Sequence, residues 1–300
     1  MPSLIARTIM IGARFSIKHT PSTPDALVRH LRIHMNKPPM PTWLPSGVSV
    51  ERLQINTLRY DRVSVTKPGQ AILYLHGGGY VCGKTRTYHN FCSRLAKALD
   101  AEIWLPDYRL APEHPFPAAI EDCLASYELL LKKGWRADQI TLAGDSAGGG
   151  LTLGTLLALR DAGRPLPKCA VVLSPVSDVR FINPSITSND ASDWMLSKAM
   201  LETGRPLYAQ YPADALNPYA SPALGDFTGL PPLFITVCEQ ECLRDDAYAV
   251  AKKARAAGVD VTLLSRPDVL HVWPIFVPVM PEARTDLERM VNFIRASGRR

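Results

Sequence analysis

Short, continuous apolar runs, each followed by a longer amphipathic stretch, constrain this chain more than any other feature. Ala170-Val171-Val172-Leu173 and Phe234-Ile235-Thr236-Val237 are two such runs. Their lack of alternation suits strands covered on both faces, as in a mostly parallel sheet. The pattern predicts about eight strands, over 50–58, 62–66, 71–75, 102–105, 139–143, 169–173, 233–237 and 260–264. Helices are expected over 87–99, 116–133, 147–161, 245–257 and 282–295. Strand and helix in alternation mark an α/β layered domain. Gly163 and Gly258 stand just past two of these helices, where a left-handed terminating residue is expected. At 300 residues and 46% apolar content, the chain can bury one large core, and a single domain over 1–300 is expected.

Two regions depart from the alternation. From Leu4 to Ile17 and from Ala26 to Met35, apolar and basic residues recur with helical spacing, and Pro38, Pro39, Pro41 and Pro45 then forbid a helix. One or two amphipathic helices docked on the rest, then an extended connection, are expected there. Between Leu173 and Leu233 lie about sixty residues rich in Pro, Asn, Ser and Asp, with one helix expected over 198–210. Such a length is an insertion and not a simple connection.

A net charge of +6 invites a nucleic-acid partner, but basic residues are interspersed with acidic ones. Adjacent basic residues come only in pairs, such as Lys132-Lys133 and Arg299-Arg300, so no nucleic-acid role is expected. The six cysteines form no CxxC pair and have no ligand-spaced histidines, so no metal is expected. Arg7 breaks the apolar residues of 1–14, and no run approaches the ~18 residues of a membrane span. The expectation is a cytoplasmic protein with reduced thiols, without stable membrane insertion.

Gly144-Asp145-Ser146-Ala147-Gly148 matches G-x-S-x-G, and its setting matters more than the match. It follows one expected strand directly and opens an expected helix, the strand–turn–helix context the motif requires. A turn that sharp strains the serine and lifts its hydroxyl clear of the sheet, and it needs small neighbours. Upstream, a strand runs into His76-Gly77-Gly78-Gly79-Tyr80. Three glycines in succession let backbone N–H groups meet the negative oxygen that forms when a serine attacks a carbonyl. In this kind of fold the order is serine, acid, histidine. Six of the seven histidines precede Ser146, which leaves His271 as the candidate base. The acid must lie in a loop at a strand end, and Glu239, Glu241, Asp245, Asp246 and Asp178 all qualify. Asp245 and Asp246 stand where they would start a helix, a role acidic residues fill anyway, so position favours Glu241 without excluding the others.

Together these pieces resemble the hormone-sensitive-lipase-like branch of the α/β-hydrolases, a family of bacterial esterases and their relatives. The resemblance also rests on Gly149 and on the string Asp107-Tyr108-Arg109-Leu110-Ala111-Pro112-Glu113-His114-Pro115-Phe116-Pro117-Ala118. It implies an α/β-hydrolase fold with a helical cap formed by about 1–46 and about 178–225. It implies an oxyanion hole at the N–H groups of Gly78, Gly79 and Ala147, and the string 107–118 as a brace for that loop. The family's acid opens an Asp-Pro-Leu-x-Asp motif thirty residues before its histidine. Here Glu241-Cys242-Leu243-Arg244-Asp245 stands at that distance from His271, so the resemblance gives Glu241 the role. The longer carboxylate is one departure; Val272, where many relatives carry glycine, is another.

As to activity, the resemblance implies a carboxylesterase acting on short- to medium-chain acyl esters, with no cofactor. Lactone hydrolysis or deacetylation would use the same three residues, whereas a binding-only relative would lack the histidine. Tyr80, Trp194, Met195, Trp273 and Phe276 are candidate substrate contacts, as apolar residues flanking the catalytic loops or in the cap. A homodimer through the C-terminal sheet edge is a further expectation by family analogy.

Overall fold

The computed structural model describes residues 2–18, 23–35 and 42–298. Its sheet has eight strands: β1 (Val48–Ile55), β2 (Leu58–Val65), β3 (Gln70–Leu75), β4 (Ala101–Pro106), β5 (Ile140–Asp145), β6 (Cys169–Leu173), β7 (Leu233–Cys238) and β8 (Val261–Arg266). Across the sheet they run β1-β2-β4-β3-β5-β6-β7-β8. The β1–β2 and β2–β4 pairs are antiparallel and all the others parallel. The strand expected over 50–58 in fact turns at Asn56, which adopts φ 52°, so Leu58 already belongs to the next strand. Asparagine tolerates that left-handed conformation, which an apolar periodicity cannot register.

Parallel pairing requires crossovers, which α3 (Arg86–Leu99), α4 (Ala118–Lys132), α5 (Ala147–Asp161) and α9 (Arg244–Ala256) supply, and α10 (Pro281–Ser297) follows the last strand. Gly163 and Gly258 take φ 61° and 79°, the left-handed geometry expected beyond their helices. With helices on both faces, β4, β5, β6 and β7 are buried along their whole length, which accounts for their unbroken apolar runs.

The two irregular regions lie outside this frame. The N-terminal stretch forms α1 (Leu4–Ser16) and α2 (Pro24–Met35), and the insertion forms α6 (Pro184–Ser188), α7 (Lys198–Tyr208) and α8 (Pro212–Leu216). Ser3 caps α1 by accepting the Ala6 N–H (3.1 Å) and donates its own N–H to Glu282 on α10 (2.7 Å). Arg32 ties α2 to Glu113 through two 2.7 Å bonds, and α2 packs against α7. Pro38, Pro39 and Pro41 and the pair Arg299-Arg300 fall outside the described residues; Pro45 lies in irregular chain before β1. Among the described residues, no helix is long and apolar enough to cross a membrane.

Candidate active site

The central turn begins where β5 ends. Ser146 is held at φ 52° and ψ −120°, between Asp145 of the strand and Ala147 of α5. A non-glycine residue keeps such a conformation only where its surroundings over-determine it. Here the Ser146 N–H donates to the Leu173 carbonyl (2.8 Å), and its carbonyl accepts from Gly150 (3.1 Å) and Val176 (3.0 Å). Glycine is needed alongside: a Cβ at Gly148 would overlap the Leu75 and His76 carbonyls, and one at Gly144 the Gly148 backbone.

Two distant loops meet this serine. Nε2 of His271 lies 2.8 Å from Ser146 Oγ, and its Nδ1 lies 2.8 Å from Glu241 Oε2. With Nδ1–H donating to the carboxylate, Nε2 is left to accept the hydroxyl proton. Both partners of the serine are buried. Burial pushes the imidazole pKa down, but Glu241 beside it, with Asp193 and Asp145 further off, reverses this and leaves it raised. The next residue, Val272, sits at φ 55° and donates its N–H to Ser174 Oγ (3.3 Å). That left-handed backbone explains why glycine suits the position, and a β-branched residue there is strained.

Of the five acidic candidates only Glu241 bonds to His271. Asp245 accepts the Ser185 N–H (2.8 Å), and Asp246 the N–H groups of Ser177 (2.8 Å) and Asp178 (3.0 Å), so both anchor the insertion to α9. Burial raises Asp246 to about 7. Asp178 pairs with Arg180, and Glu239 accepts from Tyr248.

The glycine loop faces the serine from β3. Gly78 and Gly79 take φ 121° and 61°, a backbone course that favours glycine. Among the described residues, the amides of Gly78, Gly79 and Ala147 find no protein acceptor. Below them, Asp145 accepts three bonds of 3.0 Å, from Tyr74, Tyr88 and the Gly77 N–H. Burial raises its carboxyl to about 6, and those three donors hold it back from rising further. The string 107–118 braces the same loop: Tyr108 stacks on His76 (4.2 Å between centroids) and donates to its carbonyl (2.6 Å). Ala111 N–H donates to Tyr80 (2.9 Å).

Above Ser146 and His271 opens a cavity of about 900 Å³, walled by α1, α2, α7 and the loops after β6 and β8. Tyr80, Met195 and Phe276 line it, with Val272 next to the histidine. Trp194 and Trp273 do not. Trp273 is fully buried and donates Nε1–H to Asp286 (2.9 Å), because its loop turns away from the cavity toward α10. Trp194 lies under the Arg14 guanidinium (5.5 Å to the ring centroid).

Asp193 was not among the expected site residues. Fully buried in the insertion, it accepts the N–H of Cys242 (2.7 Å), the residue after Glu241, and those of Met195 (2.8 Å) and Leu196 (2.9 Å). Nothing local signals it, since its partner lies 49 residues away in irregular chain. Among the described residues, no cluster of three His, Cys, Asp or Glu could hold a metal, and all six cysteines are buried and unbridged.

A family model described as alpha/beta hydrolase fold matches residues 72–275. An acetyl-hydrolase of Streptomyces hygroscopicus is 44% identical over 231 residues, 76% of each chain. An ethyl acetate hydrolase of Pseudomonas putida is 33% identical over 235 residues, 76% of this chain and 73% of its own. The crystal structure of an esterase from the bacterial hormone-sensitive lipase family is similar at a TM-score of 0.90 and 37% identity, over 99% of both chains.

Proposed function

Because the chain belongs to the α/β-hydrolase family, in its bacterial hormone-sensitive-lipase branch, we propose that it is a carboxylesterase with Ser146 as nucleophile, His271 as base and Glu241 as acid. One observation carries this assignment: two 2.8 Å contacts join a hydroxyl, an imidazole and a carboxylate from three separate loops. In the first step His271 Nε2 takes the Ser146 proton as Oγ attacks the ester carbonyl. The N–H groups of Gly78, Gly79 and Ala147 receive the charge on the carbonyl oxygen. His271 then gives its proton to the leaving alcohol, and water, activated by the same ring, releases the acid from the acyl-enzyme. Glu241 stays ionised, holding the tautomer and balancing the imidazolium.

Substrates are short- to medium-chain acyl esters; the apolar walls of the cavity and relatives named for acetyl and ethyl acetate hydrolysis support this. The segments of about 1–46 and 178–225 form the cap over the site. Six buried, unbridged thiols favour a cytoplasmic setting. The outer edge of β8 is the surface for a homodimer.

A chain-length series of p-nitrophenyl esters, with lactones and N-acetyl compounds as competitors, tests the assignment. Ser146→Ala should lower kcat/KM by about four orders of magnitude or more. Equal activity in variant and wild type would refute the nucleophile.

A further inference from the structure

We propose that α1 docks this protein on an anionic lipid surface through Leu4, Ile11 and Phe15. The helix is built back to front for a cap element that has only a core to satisfy. Its buried face carries the small or slender Ala6, Met10 and Ala13, while Leu4 and Phe15 are 81% exposed and Ile11 49%. At ~100° per residue the three exposed residues fall on one narrow stripe. Arg7 and Arg14, both exposed, follow one border of that stripe. Along the other border, Ile5, Ile9 and Gly12 line the cavity that holds Ser146 and His271. One helix therefore separates the stripe from the candidate site.

Charge identifies the occupant. Residues 1–46 contain Arg7, Arg14, Lys18, Arg29, Arg32 and Lys37 against the single acid Asp25, a net +5 of the chain's +6. The remaining 254 residues are nearly neutral, so the basic balance that looks dispersed along the whole sequence is concentrated in the segment bearing the stripe. Lys18 and Arg32 are engaged internally, on backbone carbonyls of the insertion and on Glu113, and Arg14 reaches the Ala191 carbonyl (3.3 Å) over the Trp194 ring, whereas Arg29 of α2 is exposed. An apolar stripe bordered by cations is the pattern of a helix lying in a lipid interface, held by burial and by attraction to anionic headgroups. A second copy would bring like charge against like. The docking itself requires none of the catalytic assignments; its use, presenting lipid-dissolved esters to the cavity, rests on the esterase reading.

Co-sedimentation of the full chain with vesicles of phosphatidylcholine containing about 30% phosphatidylglycerol, at low salt, tests the proposal. Wild type should pellet with these vesicles, and about tenfold or more less well with pure phosphatidylcholine. The double variant Leu4→Ser, Phe15→Ser should lose about tenfold or more of the binding while hydrolysing soluble p-nitrophenyl acetate at the wild-type rate. Wild type remaining in the supernatant, or a variant that pellets equally well, would overturn the docking. So would a wild-type dimer that the double variant converts to monomer without either binding vesicles, since the stripe would then belong to a second copy. Vesicle binding by a wild type that hydrolyses no ester would leave the docking intact and remove the esterase reading.

Discussion

The floor of the cavity rests on the C-terminal ends of β3, β5, β7 and β8, whereas its roof is α1, α2 and α7, and the two hold their side chains by different means. On the floor, Ser146 is bonded through both its amide and its carbonyl, and His271 and Glu241 are buried against each other. Carbonyls of the β3 end crowd Gly148 closely enough to exclude a Cβ. Each group is fixed by several independent constraints, which is what a reaction needing sub-ångström placement demands. The roof is held by a few polar ties, among them Ser3 to Glu282, Lys18 to the carbonyls of Asp190 and Asp193, and Arg32 to Glu113. Met195 and Met200 face the cavity there, and methionine adapts to irregular shapes. Elements tied this loosely open first in local fluctuations. Floor substitutions should therefore remove turnover, and roof substitutions should redistribute it among substrates.

The contrast is tested most severely on the floor. Glu241→Gln keeps the shape and removes the charge, and kcat should fall by about 10³ to 10⁴, the usual cost of a neutral partner and a wrong tautomer. Asp245→Asn should change kcat by no more than about threefold, since that carboxylate anchors Ser185. The reverse pair of results would move the acid. A pH profile of kcat/KM sharpens the same point. The base works only when neutral, and the Glu241 charge, against burial, holds the His271 pKa above its ordinary value. The acid limb should therefore have its midpoint above that of free imidazole, with activity lost as pH falls through it. In residual Glu241→Gln activity the midpoint should move down, because burial then acts with less opposition. An unmoved midpoint would assign the limb to another group.

Asp193 joins roof to floor, so its substitution should give an intermediate effect. In Asp193→Asn, Oδ1 can keep the Met195 and Leu196 amides, but the new NH₂ confronts the Cys242 N–H, donor against donor. The acid loop should shift, with kcat down by about tenfold, and the pH midpoint should fall by less than in Glu241→Gln. Loss of thermal stability with kcat and midpoint both unchanged would make Asp193 a purely structural strut.

The same division decided what could be read in the chain. Buried strands announce themselves by unbroken apolar runs, and the turn at Ser146 by glycines that only crowding explains, so β5, α5 and the loop of Gly78 and Gly79 were legible. His271 followed from order along the chain, and Glu241 from its loop position together with the family resemblance. Trp273 was misplaced because an aromatic residue after a catalytic histidine carries no sign of which way its loop will turn. The clash of Val272 with a left-handed backbone was equally hidden, since φ is set by what the loop must reach. Asp193 and the roof are products of tertiary contact between segments with no periodicity, where local sequence constrains little.

Met195 offers the mildest and most discriminating test of the roof. Its backbone amide is anchored by Asp193, while its side chain lines the cavity. Met195→Ala therefore enlarges the cavity without disturbing the floor. For p-nitrophenyl acetate, which leaves that part of the cavity unfilled, kcat/KM should change by no more than about twofold. A hexanoate or octanoate ester should gain about three- to tenfold in kcat/KM, mostly through KM, as the added methylenes find space at ~0.8 kcal/mol each when buried. A uniform fall in kcat for every chain length would instead show that the roof helps to hold the reacting groups, and the separation of roof from floor would have to be abandoned.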